Sequence, residues 1–124
     1  MHMKISIVIP CFNEEDNIEK LGTDFFPVAD SLIGSKLPDG GAVTSVEVVF
    51  VDDGSKDATY HALKTAFASR SSQTIPIKFE KHEVNRGLGA AIRTGLQAST
   101  GDIILTTDSD GTYKLAGAPP RAPG

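Results

Sequence analysis

Hydrophobic positions recur along this chain in two alternating rhythms, one of short β-branched runs and one of helical steps. Residues 5–9, Ile-Ser-Ile-Val-Ile, read as a strand that stops at Pro10, because proline cannot donate to a ladder. Asn13 is then the expected N-cap, with Asp16 three positions on, and Ile18, Leu21, Phe25 and Leu32 recur at the spacing of an amphipathic helix. Pro27 is expected to kink or interrupt that helix near Phe26. Residues 34–41, with three glycines and a proline, read as an exposed loop. A second apolar run covers 46–51 and ends at Asp52-Asp53-Gly54-Ser55, where Gly54 is expected to take a positive φ and Ser55 or Asp57 to cap the next helix. In that helix Leu63, Ala66 and Phe67 share a face. Residues 75–79 alternate apolar and polar side chains but contain Pro76, which suits an edge strand. A third helix over 87–99 places Leu88, Ile92 and Leu96 at four-residue steps, with Gly101 as its C-terminal glycine, and a fourth strand over 102–107 leads into Asp108-Ser109-Asp110.

Strands that alternate with helices imply right-handed crossovers, and hence an α/β fold with a mainly parallel Rossmann-like sheet covered by helices on both faces. In the common order 3-2-1-4 the chain reverses between strands one and four, opening a crevice at their carboxyl ends. The clusters at 10–14, 52–55 and 108–110 each follow a strand. All are therefore expected on one rim of the sheet.

Composition narrows what that rim can meet. A length of 124 residues with 40% hydrophobic content supports one core, placed here at residues 4–113; the Pro/Gly/Ala-rich remainder, 114–124, is expected to stay disordered or extended. Twelve basic against sixteen acidic side chains leave a net charge of −4 with no basic stripe, which excludes a nucleic-acid partner. The single Cys11 can form no internal disulfide and no apolar stretch is long enough to span a bilayer, so a cytoplasmic location is expected. His2 lies in a leading scrap with no functional expectation, and His61 and His82, each isolated among polar neighbours, read as surface residues without zinc-site spacing.

Asn13 and the acids after it are explained by helix capping, and Asp52-Asp53-Gly54-Ser55 equally well by a tight turn. Asp108 and Asp110 are harder to explain structurally, because two carboxylates so close repel unless a cation or proton lies between them. Hard oxygen ligands suit Mg²⁺ or Mn²⁺, whose coordination substrate phosphates commonly complete. Such an ion would neutralise charge on a departing diphosphate, and Arg86 beside the third helix's first amides would add to that field.

Four motifs in order, Ile7-Val8-Ile9-Pro10-Cys11-Phe12-Asn13-Glu14-Glu15, Val51-Asp52-Asp53-Gly54-Ser55, Asn85-Arg86-Gly87-Leu88-Gly89 and Asp108-Ser109-Asp110, resemble those of family 2 glycosyltransferases. The similarity is greatest to the branch that transfers sugars to polyprenyl phosphates such as dolichyl phosphate. It implies the N-terminal, nucleotide-binding half of a GT-A fold and an inverting transfer from a UDP- or GDP-linked sugar to a polyprenyl phosphate or a glycan. Work at the cytoplasmic membrane face would follow. By the same resemblance Pro10, Phe12 and Glu14 would border the nucleoside, Val51 and Asp53 would contact base and ribose, and Ser109 would bring its backbone near the donor. Asp108 and Asp110 would hold the metal. Phe12 stands where the family often has Tyr, keeping the ring and losing the hydroxyl. The family's general base falls in a later acidic motif, so a truncated or frame-shifted chain that binds donor without completing transfer is expected.

Two other readings use the same residues. Ile103 to Thr112 also resembles the nucleophile strand of haloacid-dehalogenase-like phosphohydrolases, with Asp108 as nucleophile and Asp110 as general acid, but that motif normally opens its domain. A non-catalytic nucleotide-binding remnant is the second. A dinucleotide fingerprint at Gly87-Leu88-Gly89 fails, because Ile92 stands where close packing needs a small residue.

Overall fold

A computed structural model describes residues 2–107 and 113–117. In chain order they form β1 (His2–Cys11), a 3-10 turn (Glu15–Asn17), α1 (Ile18–Leu32), β2 (Ala42–Asp53), α2 (Thr59–Phe67), a second 3-10 turn (Ala68–Arg70), β3 (Ile77–His82), α3 (Leu88–Ala98), β4 (Ile103–Thr107) and β5 (Tyr113–Gly117). The sheet runs β3-β2-β1-β4-β5. All neighbours are parallel except β4 and β5. The expected 3-2-1-4 order is thus present, extended by one antiparallel strand.

Both faces of the central strands are buried, which is why they read as apolar runs and not as alternation. Ile7, Ile9, Val48 and Phe50 point into the larger core, where Phe25 and Phe26 of α1 and Leu63 and Phe67 of α2 meet them. Phe50 and Phe67 stack at 5.2 Å between centroids, with the Phe25 ring edge-on to both. Val8, Val49, Val51, Ala91 and Ile104 make the second core, under α3.

Several expectations needed correction. Pro10 does not end β1: pairing with β2 continues through Cys11, and among the described residues β4 pairs with Ile5 to Val8, so Pro10 meets no described partner on that side, the condition a strand proline requires. His2 pairs with Ala42 and belongs to the same strand. Helix α1 runs through Pro27 without interruption. Asn13 is not an N-cap; it adopts a positive φ of 52° in the loop. Strand β3 starts two residues later than read, after Pro76, and ends at His82. Ala66 is exposed while Leu63 and Phe67 are buried.

Helix α3 faces the sheet with its small side and not with its leucines. Ala91 and Gly95 are buried and Leu88 is 57% exposed. The cause is close approach: a Cβ on Gly95 would lie 2.2 Å from a Val8 methyl. Gly101 is likewise not a left-handed cap but a contact residue, where a Cβ would sit 2.6 Å from the Ser6 amide nitrogen. Residues 114–117, expected in the tail, complete β5, because the free side of β4 offers Lys114, Leu115 and Gly117 a ladder.

Candidate functional site

The last residues of β1, beyond its pairing with β4 among the described residues, form the floor of a cleft of about 900 Å³. Ile9, Pro10 and Cys11 lie along β1, α1 contributes Leu21, Phe25 and Val28, and the entrance to α3 contributes Asn85, Gly87 and Leu88. Thr107 and Tyr113, partners across β4 and β5, line the end of the cleft. This is the reversal point of the sheet, where parallel α/β folds bind ligands.

The rim is built by loops that bond to each other. The Asn13 amide donates to Ser55 Oγ at 2.8 Å, and Asn13 Oδ1 accepts from the Lys56 amide at 2.9 Å. The Glu14 amide donates to Thr59 Oγ1 at 2.8 Å. Neither Ser55 nor Asp57 takes the N-cap position of α2, which is Ala58, although Asp57 Oδ1 accepts from the Thr59 amide at 3.0 Å just outside it. Ser55 instead bonds through its amide and hydroxyl to Asp52. Gly54 has the expected positive φ, 69°.

Asp53 organises the opposite wall. Its Oδ1 accepts from the Arg86 amide at 2.9 Å and lies 2.8 Å from His82 Nδ1; its Oδ2 accepts from the Gly87 amide at 3.0 Å and from Asn85 Nδ2 at 3.1 Å. Burial pushes the carboxyl up, but the Arg86 and Gly87 amides and His82 outweigh it and hold its pKa below the usual value. His82 corrects the surface reading: it is buried, with Nε2 2.7 Å from Thr94 Oγ1. No local sequence signal marked this, since its partners Asp53 and Thr94 lie 29 and 12 residues away.

Of the remaining candidates, Pro10, Phe12 and Glu14 line the cleft, and Phe12 is 43% exposed there. Val51 does not: it is fully buried against α3, so its side chain cannot contact a base. Arg86 is exposed and outside the cleft lining, and its backbone amide is the group engaged. Asp108, Ser109 and Asp110 lie outside the described residues. Among described acidic and basic side chains, Glu14, Asp24 and Asp53 line the cleft against Lys20. A diphosphate would be repelled there without an added cation.

Cys11 is buried at the cleft floor, and desolvation, with the negative charges of Glu14 and Asp52, pushes its thiol up to about 12. Iodoacetamide at pH 8 should therefore leave Cys11 unmodified in the folded protein and alkylate it in guanidinium, as read by mass spectrometry. Rapid alkylation of the folded chain would contradict this environment.

A mostly parallel sheet with helices on both faces and an acidic cleft at its reversal point defines an α/β fold with a cleft where such folds bind ligands. Residues 6–116 match Glycosyl transferase family 2, and the chain belongs to that family. A dolichol-phosphate mannosyltransferase of Pyrococcus furiosus is 31% identical over 108 residues, which are 87% of this chain and 26% of that protein. The structure of TarS residues 1–349 from S. aureus in complex with UDP aligns with a TM-score of 0.57 at 31% identity, over 87% of this chain and 28% of that one. The mannosyltransferase PcManGT from Pyrobaculum calidifontis, in complex with GDP-Man and Mn²⁺, aligns with a TM-score of 0.65 at 24% identity, over 89% of this chain and 28% of its own, and supports the fold. The chain spans about a quarter of the length of these relatives.

Proposed function

We propose that this chain binds the donor of an inverting glycosyltransferase, a UDP- or GDP-linked sugar, in the cleft over β1. The observation that carries the reading is the position of Thr107 and Tyr113: they flank the Asp108-Ser109-Asp110 stretch in sequence, and both line the cleft. Phe12 offers an exposed ring face to a base, and Glu14 an acceptor at the same wall. Asp53 borders base or ribose from the opposite side, its carboxylate engaged with the turn at Asn85 to Gly87, and Ser109 brings its backbone near the donor. The amides at the start of α3 face the phosphates, and Arg86 adds positive charge outside the cleft.

Asp108 and Asp110 hold Mg²⁺ or Mn²⁺ in this reading. Among described residues no group of three His, Cys, Asp or Glu side chains could hold a metal, and the acidic cleft needs a cation before it admits a diphosphate. When bound, the ion supplies Lewis-acid neutralisation of the leaving diphosphate. The acceptor is a polyprenyl phosphate, supported by the dolichol-phosphate mannosyltransferase relative, and the protein works at the cytoplasmic membrane face. No described helix is long and apolar enough to cross a membrane. The phosphohydrolase reading is not favoured, since the family match spans all the motifs and the Asp108 strand follows three others.

Titration calorimetry with GDP, UDP and their sugars, with and without Mn²⁺, tests the site. Binding should need metal, and Asp108→Asn or Asp110→Asn should weaken it by about tenfold or more. A folded chain that binds no nucleotide, or binds equally well in chelator, overturns the assignment.

A further inference from the structure

Burying an imidazole is costly unless both ring nitrogens are paired, and in His82 both are. The carboxylate of Asp53 only accepts, so Nδ1 carries a proton toward it, and Nε2 pairs with the Thr94 hydroxyl. The ring thereby ties the ends of β2 and β3 to α3. Asp53, its hydrogen-bond partner, in turn holds the Arg86 and Gly87 amides and the Asn85 side chain. Asp53 lines the cleft, whereas the ring of His82 lies behind it and does not.

We propose that His82 is a positioning residue for the donor site: it sets the orientation of Asp53, and through it the turn at Asn85, Arg86 and Gly87, without touching the nucleotide. The proposal rests on the donor site described above, but its first readout does not need nucleotide. A ring anchored on Thr94 leaves Asp53 one rotamer in which both oxygens meet the turn. Without the ring, Oδ1 loses a donor and the carboxylate can rotate away from the two amides.

Hydrogen exchange of the Arg86 and Gly87 amides, followed by NMR on the full chain, should accelerate by about tenfold in His82→Leu and stay near wild type in His82→Asn, whose amide replaces Nδ1–H. Affinity for GDP or UDP with Mn²⁺ should fall by about tenfold in His82→Leu. The loss should deepen on acidification, starting at higher pH than in wild type, because Asp53 loses a bond that favours its ionised form. A purely structural role would lower the melting temperature without moving this pH profile. If His82→Leu does not fold, Thr94→Val decides, since it frees the ring while leaving Nδ1 on Asp53. Unchanged exchange of both amides in a folded variant overturns the proposal. Accelerated exchange in His82→Leu, together with a folded wild type that binds no nucleotide, overturns the donor reading instead.

Discussion

Replacing Gly54 by alanine should destabilise the fold by at least about 4 kcal/mol in urea unfolding and abolish nucleotide binding. The added Cβ would lie 2.1 Å from the Val84 carbonyl carbon and 2.2 Å from the Asn85 nitrogen. Both are backbone atoms, so no side-chain rotation relieves the clash. A φ of 69° adds the ordinary penalty for a left-handed residue. Gly34 and Gly40 separate the two contributions: each has a positive φ with nothing within 4 Å of a built Cβ, so their alanine variants should cost only about 1 kcal/mol. A Gly54→Ala protein as stable as those two would refute the close packing of the two loops on which the cleft wall depends.

The second large effect is expected far from the cleft. Glu47 is fully buried and accepts from Ser6 Oγ at 2.8 Å and from the Thr100 amide at 2.9 Å, with Lys78 Nζ at 2.9 Å and Lys4 Nζ at 3.3 Å. Desolvation pushes its pKa up, but the Thr100 amide, Lys78, Ser6 and Lys4 together outweigh it and bring the carboxyl down to about 2. Glu47→Ala should cost about 3 kcal/mol, toward the low end for a broken buried pair because both lysines keep some contact with water. For a depressed carboxyl the stabilisation is complete above its ordinary value of 4.5 and disappears as pH falls through about 2. The stability gap between wild type and Glu47→Gln should therefore be constant from pH 7 to 5 and close progressively toward pH 2. A gap that widens on acidification would contradict this charge arrangement.

Glu47 also shows where sequence reading reaches its limit. It stands inside the run at 46–51 that identifies β2, and nothing local distinguishes it from a solvent-facing acid, because its partners are supplied by residues 4, 6, 78 and 100. The strands themselves were legible, since burial on both faces writes continuous apolar runs, and the reversal point followed from the alternation of strand and helix. The α3 face was misread because hydrophobic periodicity weights leucines, whereas the contact with Val8 selects Gly95 for its lack of a side chain. His82 was misread for a related reason: its polarity is satisfied by Asp53 and Thr94, both distant in sequence. Family motifs placed Phe12, Glu14 and Asp53 at the cleft. They could not separate Val51, whose strand ends there, from residues whose side chains reach it.

The unequal pairing of β1 also bears on how the molecule assembles. Its first partner strand begins at Ala42, but the strand on its other side arrives only at Ile103, and β5 later still. In a chain emerging from its amino end the central strand therefore keeps one open edge until Ile103 arrives, an arrangement of high contact order. The cleft, whose end is lined by Thr107 and Tyr113, therefore takes shape only after β4 and β5 have joined the sheet.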